Sequence, residues 1–134
     1  MILLYGRPAS GKSRLAKDIA KRTGLRIITV DEMRARTKTA DAAQAQLIYQ
    51  VKRSTDELIV EACCPHPRLV DLARLTVQVR TSDELVQTRL LKRGWTKAHV
   101  IRALRERYAV RPDVTVDSVS TTATDDVIAA LERL

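Results

Sequence analysis

The sequence predicts an α/β fold in which five parallel strands form one sheet with helices on both faces. Two observations support this prediction. Short apolar or β-branched runs alternate with helical patterns along all 134 residues. The first apolar run also leads directly into a glycine-rich loop that opens a helix. Because strand–helix–strand connections are right-handed, this alternation favours a single parallel sheet. We expect one domain, 1–134, with a helical lid at about 89–111.

The glycine-rich loop is Gly6-Arg7-Pro8-Ala9-Ser10-Gly11-Lys12-Ser13, which matches the pattern G-x-x-x-x-G-K-[ST] at every fixed position. The apolar residues 2–5 before it predict a buried strand. Residues 14–23 after it have helical apolar spacing, and Gly24 ends that helix. In this context the loop indicates a nucleotide triphosphate site. The alternative is a glycine-rich turn with a chance lysine.

The residue types in this loop suit phosphate chemistry. Glycines allow the backbone to approach a ligand closely, so successive N–H groups face one concave space at the positive end of the helix. Lys12 is expected to bridge the β- and γ-phosphates of ATP, and the Ser13 hydroxyl to complete a Mg²⁺ shell. The predicted nucleotide-binding residues are Gly6, Ala9, Ser10, Gly11, Lys12, Ser13, Arg14 and Arg89.

Asp31 follows the second predicted strand, residues 26–30. Ligands bind at the carboxyl ends of parallel strands, so this carboxylate is a candidate general base toward an acceptor hydroxyl. Arg34, three residues later, is a candidate to hold an acceptor phosphate or the transferring phosphoryl group. The alternative for Asp31 is a helix N-cap.

Glu61 lies near the end of the third predicted strand, residues 57–62, which follows a helix over 40–54. This carboxylate is a candidate Mg²⁺ ligand through water, a candidate acceptor contact, or a plain strand-end acid. Cys63 and Cys64 are adjacent, which is poor spacing for a disulfide or a zinc site, so we expect buried thiols in a reducing cytosol. His66 lies between two prolines and is predicted in a loop.

The second half of the chain continues the alternation. It contains a fourth strand at 75–80, a helix capped by Ser82 and ended by Gly94, and a helix capped by Thr96. The apolar stripe of that second helix is Val100, Leu104 and Tyr108. A fifth strand at 114–117 and a last helix capped by Thr124 complete the chain.

Residues 89–111 contain eight basic residues and one acid, Glu106. Arg93 stands beside Gly94 at a helix end, which suits a lid arginine that stabilises the transferring phosphoryl group. Arg89, one turn earlier, is placed to cover the nucleotide. The alternative is the charged solvent face of a helical hairpin.

The net charge of +8 and the pI near 10.0 favour a polyanionic partner such as nucleic acid. A basic surface that serves only solubility is the alternative. Aromatic residues make up 3% of the chain, which disfavours base stacking on several rings. The first predicted strand follows Met1 directly and no apolar run nears the ~20 residues of a membrane span, so we expect a cytoplasmic protein without a membrane partner.

Taken together, these residues resemble the small P-loop kinases, most closely the phage-type polynucleotide 5′-kinases, over about residues 1–108. The resemblance rests on G-x-P-x-S-G-K-S at 6–13, on Asp31-Glu32-Met33-Arg34, and on Ser82-Asp83-Glu84-Leu85-Val86 with Lys92-Arg93-Gly94. It implies an ATP- and Mg²⁺-dependent kinase with Asp31 as general base, Arg34 on the acceptor side and Arg93 at the transition state.

The third strand departs from that resemblance. It ends in Glu61-Ala62-Cys63-Cys64 where such kinases have an Asp-containing polar motif, which leaves the acceptor open. The leading expectation is a hydroxyl on nucleic acid, with DNA favoured. The alternatives are the hydroxymethyl group of 5-hydroxymethyluracil in phage DNA, a small metabolite or nucleoside, and a nucleotide-binding regulator. Either nucleic-acid acceptor, the 5′ hydroxyl or the hydroxymethyl group, would suit a phage-encoded protein in host cytoplasm. A second copy of so short a chain would help to complete an acceptor groove.

Overall fold

The computed structural model describes every residue from Met1 to Leu134, and its centre is a five-stranded, fully parallel sheet. The spatial order of the strands is β2-β3-β1-β4-β5, which confirms the predicted architecture. The strands are β1 (Ile2–Tyr5), β2 (Arg26–Thr29), β3 (Leu58–Ala62), β4 (Leu75–Arg80) and β5 (Val114–Asp117).

Seven helices connect and cover these strands. They are α1 (Lys12–Thr23), α2 (Val30–Ala35), α3 (Ala40–Arg53), α4 (Pro67–Asp71), α5 (Asp83–Lys92), α6 (Lys97–Leu104) and α7 (Ala123–Glu132). No helix combines the length and the apolar character needed to cross a lipid bilayer.

Strand β1 is apolar throughout because both of its faces are covered. Ile2 and Leu4 belong to the core beneath α1 and α7, whereas Leu3 and Tyr5 belong to the core beneath α2, α3 and α4. Side chains alternate between the faces of a strand, so four consecutive large residues are buried only where helices lie on both sides. A third cluster, which includes Ala9, joins the loop after β1 to helices α5 and α6.

The strand order makes the end of β1 the natural binding edge. Strand β1 lies between β3 and β4, and the chain crosses from one half of the sheet to the other between those two strands. In open α/β sheets, a ligand crevice forms where the order reverses, beyond the carboxyl ends of the strands. The glycine-rich loop occupies this position. The pairing of Leu4 and Thr29 with Glu61 sets the acid at the same edge.

Helices α2 and α4 on the β2–β3 side of the sheet begin after N-caps that were not predicted, although His66 itself lies in a loop as expected. The N-cap of α2 is Thr29, whose hydroxyl accepts from the Glu32 N–H at 3.0 Å, so Val30 is already helical and Asp31 lies in the first turn. His66 caps α4 in the same way, its Nδ1 accepting from the Arg68 N–H at 3.1 Å. Pro67 therefore begins a helix, a position at which its missing N–H costs nothing.

Three further residues differ from their predicted settings. Cys63 and Cys64 are exposed, because β3 ends at Ala62 and both follow it beyond the sheet. Tyr108 lies after the end of α6, and its ring packs edge-on against Tyr5 with centroids 5.3 Å apart. The last helix begins at Ala123, one residue before the expected cap.

Candidate active site

The glycine-rich loop needs both of its glycines for steric reasons. A Cβ on Gly6 would lie 2.4 Å from the Val79 carbonyl oxygen. Gly11 has φ +98°, and a Cβ there would lie 2.6 Å from the Ser118 Cβ. Ala9 also has a positive φ, 61°. The loop is therefore a tightly packed left-handed segment, in which backbone N–H groups are available to an anion.

The Lys12 side chain folds back over this loop. It is 8% exposed, and its Nζ donates to the carbonyl oxygens of Gly6 at 2.9 Å and Arg7 at 2.8 Å. Lys12 is also the first residue of α1, where the helix adds partial positive charge. The loop therefore holds an ammonium group and a helix N-terminus at one place before any ligand arrives.

Ser13 and Glu61 meet at the mouth of the loop. The Ser13 hydroxyl donates to Glu61 Oε2 at 3.4 Å, while Glu61 Oε1 is buried without a hydrogen-bond partner. Glu61 is 7% exposed. Burial raises the pKa of this carboxyl; the Ser13 hydrogen bond and the Lys12 charge oppose the shift, and the Asp31 charge adds to it. A buried carboxylate with a free oxygen is a group that a cation would stabilise.

Ser13 and Glu61 together fit a Mg²⁺ ion. Magnesium prefers oxygen ligands and is held in kinases by one or two protein groups, substrate phosphates and water. The chain has no cluster of three His, Cys, Asp or Glu side chains that would hold a metal by themselves. A Mg²⁺ ion that is also bound by phosphates needs fewer ligands from the protein. The Ser13 hydroxyl and the unpartnered Glu61 oxygen are two such ligands.

A single cleft of about 880 Å³ surrounds these groups. This volume lies within the range of about 300–1,000 Å³ found for small-molecule sites. The predicted residues Asp31, Arg89 and Arg93 line it together with the loop. The full lining is Pro8, Ala9, Ser10, Gly11, Lys12, Ser13, Arg14, Lys17, Asp18, Thr29, Val30, Asp31, Glu61, Ala62, Cys63, Arg89, Arg93, Trp95 and Glu106.

Helix α5 and the residues just before it are linked to the glycine-rich loop by two arginines. Arg89 Nη1 donates to the Ala9 carbonyl oxygen at 2.9 Å. Arg7 Nη1 pairs with Asp83 Oδ1 at 2.6 Å, and its Nη2 donates to the Thr81 carbonyl oxygen at 2.9 Å. These contacts hold the end of α5 over the cleft. Arg93, the exposed C-cap of that helix, lies at the cleft wall.

Two predicted residues do not line the cleft. Arg34 donates from Nη1 to the Thr37 carbonyl oxygen at 3.0 Å, so its guanidinium satisfies a carbonyl just past the end of α2. Arg34 therefore lies outside the cleft in this structure, and its acceptor-side role stays a prediction. Gly6 is buried beneath the loop and shapes it without facing the cleft.

Sequence reasoning did not assign Lys17, Trp95 or Glu106 to the site. Lys17 lies one helical turn after Ser13, so the spacing on α1 was a usable signal. Trp95 is the only tryptophan and directly follows Gly94, whose φ is +88°. Glu106 was visible only as the single acid of a basic stretch. No local pattern indicates that it reaches the cleft.

Solved structures of small kinases share this fold. A sugar kinase from Janibacter sp. HTCC2649 superposes with a TM-score of 0.73 at 17% identity, covering 98% of this chain and 93% of the other. A gluconokinase from Sinorhizobium meliloti 1021 gives 0.71 at 19% identity, covering 98% and 91%. A shikimate kinase from Aquifex aeolicus vf5 gives 0.68 at 15% identity, covering 98% and 96%. No curated protein sequence matches the chain.

These likenesses establish the small P-loop kinase fold for this chain. Residues 2–76 also match the sequence model of the ATPase family associated with various cellular activities (AAA). That match contains β1, the loop, Asp31 and Glu61, and it spans more than half of the 134 residues. The chain therefore belongs to the ATPase family associated with various cellular activities.

Proposed function

We propose that this protein is an ATP- and Mg²⁺-dependent kinase that transfers the γ-phosphate to a hydroxyl group of a small metabolite. The observation that carries the proposal is the shared cleft. This cleft is lined by Asp31, a carboxylate in the first turn of α2, together with Lys12, Ser13, Glu61 and Arg93. A phosphate-binding loop alone is compatible with ATP hydrolysis or with nucleotide binding without turnover. A further carboxylate that lines the cleft is suited to activate an acceptor hydroxyl.

Each residue has a defined task in this proposal. Lys12 and the loop N–H groups neutralise the donor phosphates. Ser13 and Glu61 hold Mg²⁺, which offsets charge on the β- and γ-phosphates when bound. The acceptor oxygen bonds to the γ-phosphorus, the bond to the β–γ bridging oxygen breaks, and ADP leaves. Asp31 takes the hydroxyl proton, and Arg93 stabilises charge on the equatorial oxygens.

Three features favour a small acceptor. The cleft volume of about 880 Å³ lies within the range of small-molecule sites. Arg34, the residue expected to grip an acceptor phosphate, points to the Thr37 carbonyl instead. The solved structures that share the fold include a sugar kinase, a gluconokinase and a shikimate kinase.

A nucleic-acid acceptor is the second candidate, and the net charge of +8 favours it. The candidate hydroxyls are the 5′ end of a polynucleotide and the hydroxymethyl group of 5-hydroxymethyluracil in DNA. Binding through several phosphates weakens steeply with salt, whereas binding of an uncharged metabolite does not. The salt dependence of KM for the acceptor therefore separates the two candidates.

The test uses γ-labelled ATP with Mg²⁺ and a panel of acceptors. The panel contains sugars and polyols, free nucleosides, a 5′-hydroxyl oligonucleotide and a 5′-blocked duplex with hydroxymethyluracil. Label on sugars, polyols or nucleosides supports the proposal. Label on a DNA substrate alone favours the second candidate, a nucleic-acid acceptor. ATP binding with no label anywhere indicates a nucleotide-binding regulator.

Lys12→Ala is the control for the donor site. It is expected to abolish labelling of every acceptor alike, because the donor phosphates lose their nearest ammonium group. Lys21→Ala, which changes an exposed residue in the last turn of the same helix, is its matched control and should retain full activity. A Lys12→Ala protein that still transfers phosphate would contradict the donor-site assignment.

A further inference from the structure

Charge is distributed unevenly around the cleft. All five of its cations, Lys12, Arg14, Lys17, Arg89 and Arg93, come from the glycine-rich loop, α1 or the end of α5. These are the elements that surround the donor phosphates in the proposed function, and they include one acid, Asp18.

The remaining lining residues form what we call the acceptor wall. This wall carries three carboxylates, those of Asp31, Glu61 and Glu106, and no cation. None of the three forms a salt bridge within the chain. Glu61 is also deeply buried with one oxygen unpartnered. The acceptor wall comprises Thr29, Val30, Asp31, Glu61, Ala62, Cys63, Trp95 and Glu106.

One hydrogen bond, from Tyr108, orients the Glu106 carboxylate. Its Oε2 accepts a hydrogen bond from the Tyr108 hydroxyl at 2.9 Å, and no protein group donates to its Oε1. The Tyr108 ring packs edge-on against the fully buried Tyr5 ring, at a centroid distance of 5.3 Å. A carboxylate that is oriented through one oxygen and free at the other is prepared to accept from a ligand.

Trp95 supplies an aromatic side chain to the same cleft. The indole is 38% exposed and lines the same cleft, at the turn between α5 and α6. An indole face and a carboxylate are the two side-chain groups that attract an ammonium ion most strongly. A carboxylate or phosphate on the acceptor would instead meet the like charges of Asp31 and Glu106, because Glu61 is engaged with Mg²⁺ in the proposed function and the wall itself carries no cation.

We propose that the acceptor is a hydroxyl compound that carries a protonated amine, of the amino alcohol or amino sugar class. Glu106 and Trp95 bind the ammonium group, and the hydroxyl is directed to Asp31 and the γ-phosphate. The inference rests on the proposed kinase function. The amine takes no part in bond making: the hydroxyl oxygen attacks phosphorus, its proton passes to Asp31, and ADP leaves.

The test compares acceptors that differ in one functional group. One set is 3-amino-1,2-propanediol, glycerol and glycerate, and a second is glucosamine, glucose and glucuronate. With γ-labelled ATP and the full chain, kcat/KM for the amine of a set is expected to exceed that for the neutral member at least about tenfold, the effect of one charge-assisted contact. The carboxylate member should be the poorest acceptor.

Substitutions on the acceptor wall locate the selectivity. Glu106→Gln keeps the shape of the side chain and is expected to raise KM for the amine about tenfold or more, with kcat changing little. Tyr108→Phe leaves the charge in place but removes the orienting hydroxyl, so a smaller rise in the same KM is expected. Glu132→Gln, an exposed change on α7, is the matched control and should alter neither constant.

The outcomes separate this inference from the kinase proposal. Equal or faster labelling of a neutral or carboxylate member would overturn the acceptor class and leave the kinase function standing. An unchanged amine KM in Glu106→Gln would overturn the role of Glu106. A chain that binds ATP but labels no member of either set, nor any acceptor of the wider panel, would overturn both proposals.

Discussion

The Ser13 hydroxyl lies 3.4 Å from Glu61 Oε2, although 48 positions separate the two residues in the chain. Parallel pairing of β1 with β3 brings them together, because Leu4 is aligned with Glu61 and the loop that contains Ser13 follows β1 directly. The contact leaves Glu61 Oε1 buried and unpartnered. The buried Glu61 carboxylate therefore has one oxygen without a hydrogen bond, which lowers the stability of the folded protein when the group is charged.

Glu61→Gln is expected to stabilise the metal-free protein near neutral pH by about 1 kcal/mol, because it removes a desolvated charge. The pKa of Glu61 is raised in the folded state, so the folded protein binds its proton more tightly than the unfolded chain does. Wild-type stability is thus fully present below the unfolded pKa and falls as pH rises through the folded pKa. Urea unfolding across this range in EDTA should show a smaller fall for Glu61→Gln. Parallel pH profiles would contradict the prediction.

Asp31→Asn is expected to leave ATP affinity nearly unchanged and to lower phosphoryl transfer at least ~10²-fold, because the amide does not accept the hydroxyl proton. Calorimetric titration measures the first effect, and single-turnover transfer the second. Glu32→Gln, which changes the exposed neighbour outside the cleft, is the matched control and should be fully active. Normal turnover of Asp31→Asn would remove this residue from the mechanism.

Arg93→Ala and Arg34→Ala are expected to differ sharply. Arg93 lines the cleft, so its loss should lower kcat by about 10³-fold, the effect of an arginine that stabilises phosphoryl transfer. Arg34 is engaged with the Thr37 carbonyl oxygen outside the cleft, so its loss should leave kcat unchanged and cost only one exposed hydrogen bond. Steady-state kinetics of both variants decides the matter. A comparable loss in Arg34→Ala would show that α2 rearranges when an acceptor binds.

Gly11→Ala tests how closely the loop packs against the segment after β5. Both Gly11, φ +98°, and Gly24, φ +75°, have left-handed backbones, but a Cβ at Gly24 meets no atom within 4 Å. Gly24→Ala should therefore cost about 1 kcal/mol of backbone strain. Gly11→Ala should cost more, by roughly another 1–3 kcal/mol, because its Cβ would meet Ser118. Equal denaturation midpoints for the two variants would show that the segment around Ser118 moves aside without a cost in stability.

Local patterns predicted most of the elements, because each depends on neighbours within a few residues. The N-caps Ser82 and Thr96 are confirmed: their hydroxyls accept from the Leu85 N–H at 3.2 Å and the His99 N–H at 3.3 Å. The start of α2 was predicted wrongly. The β-branched run at 26–30 predicts a strand through Val30, but the Thr29 hydroxyl caps a helix that begins at Val30. Such boundaries depend on a single hydrogen bond, which an apolar pattern does not encode.

By itself, the sequence determined the glycine-rich loop between β1 and α1 and the alternation of strands and helices, and it placed Asp31 just after β2. The reason is that a glycine pattern, a capping hydroxyl and a period of apolar residues each act over one or two turns of chain. Only the tertiary structure decided which side chains share the cleft. Strand order and register set Glu61 beside Ser13, and the Tyr108–Tyr5 contact carries Glu106 to the acceptor wall, whereas Arg34 turns away. These are contacts between residues far apart in the chain, and their direction is fixed only when the sheet and its helices pack.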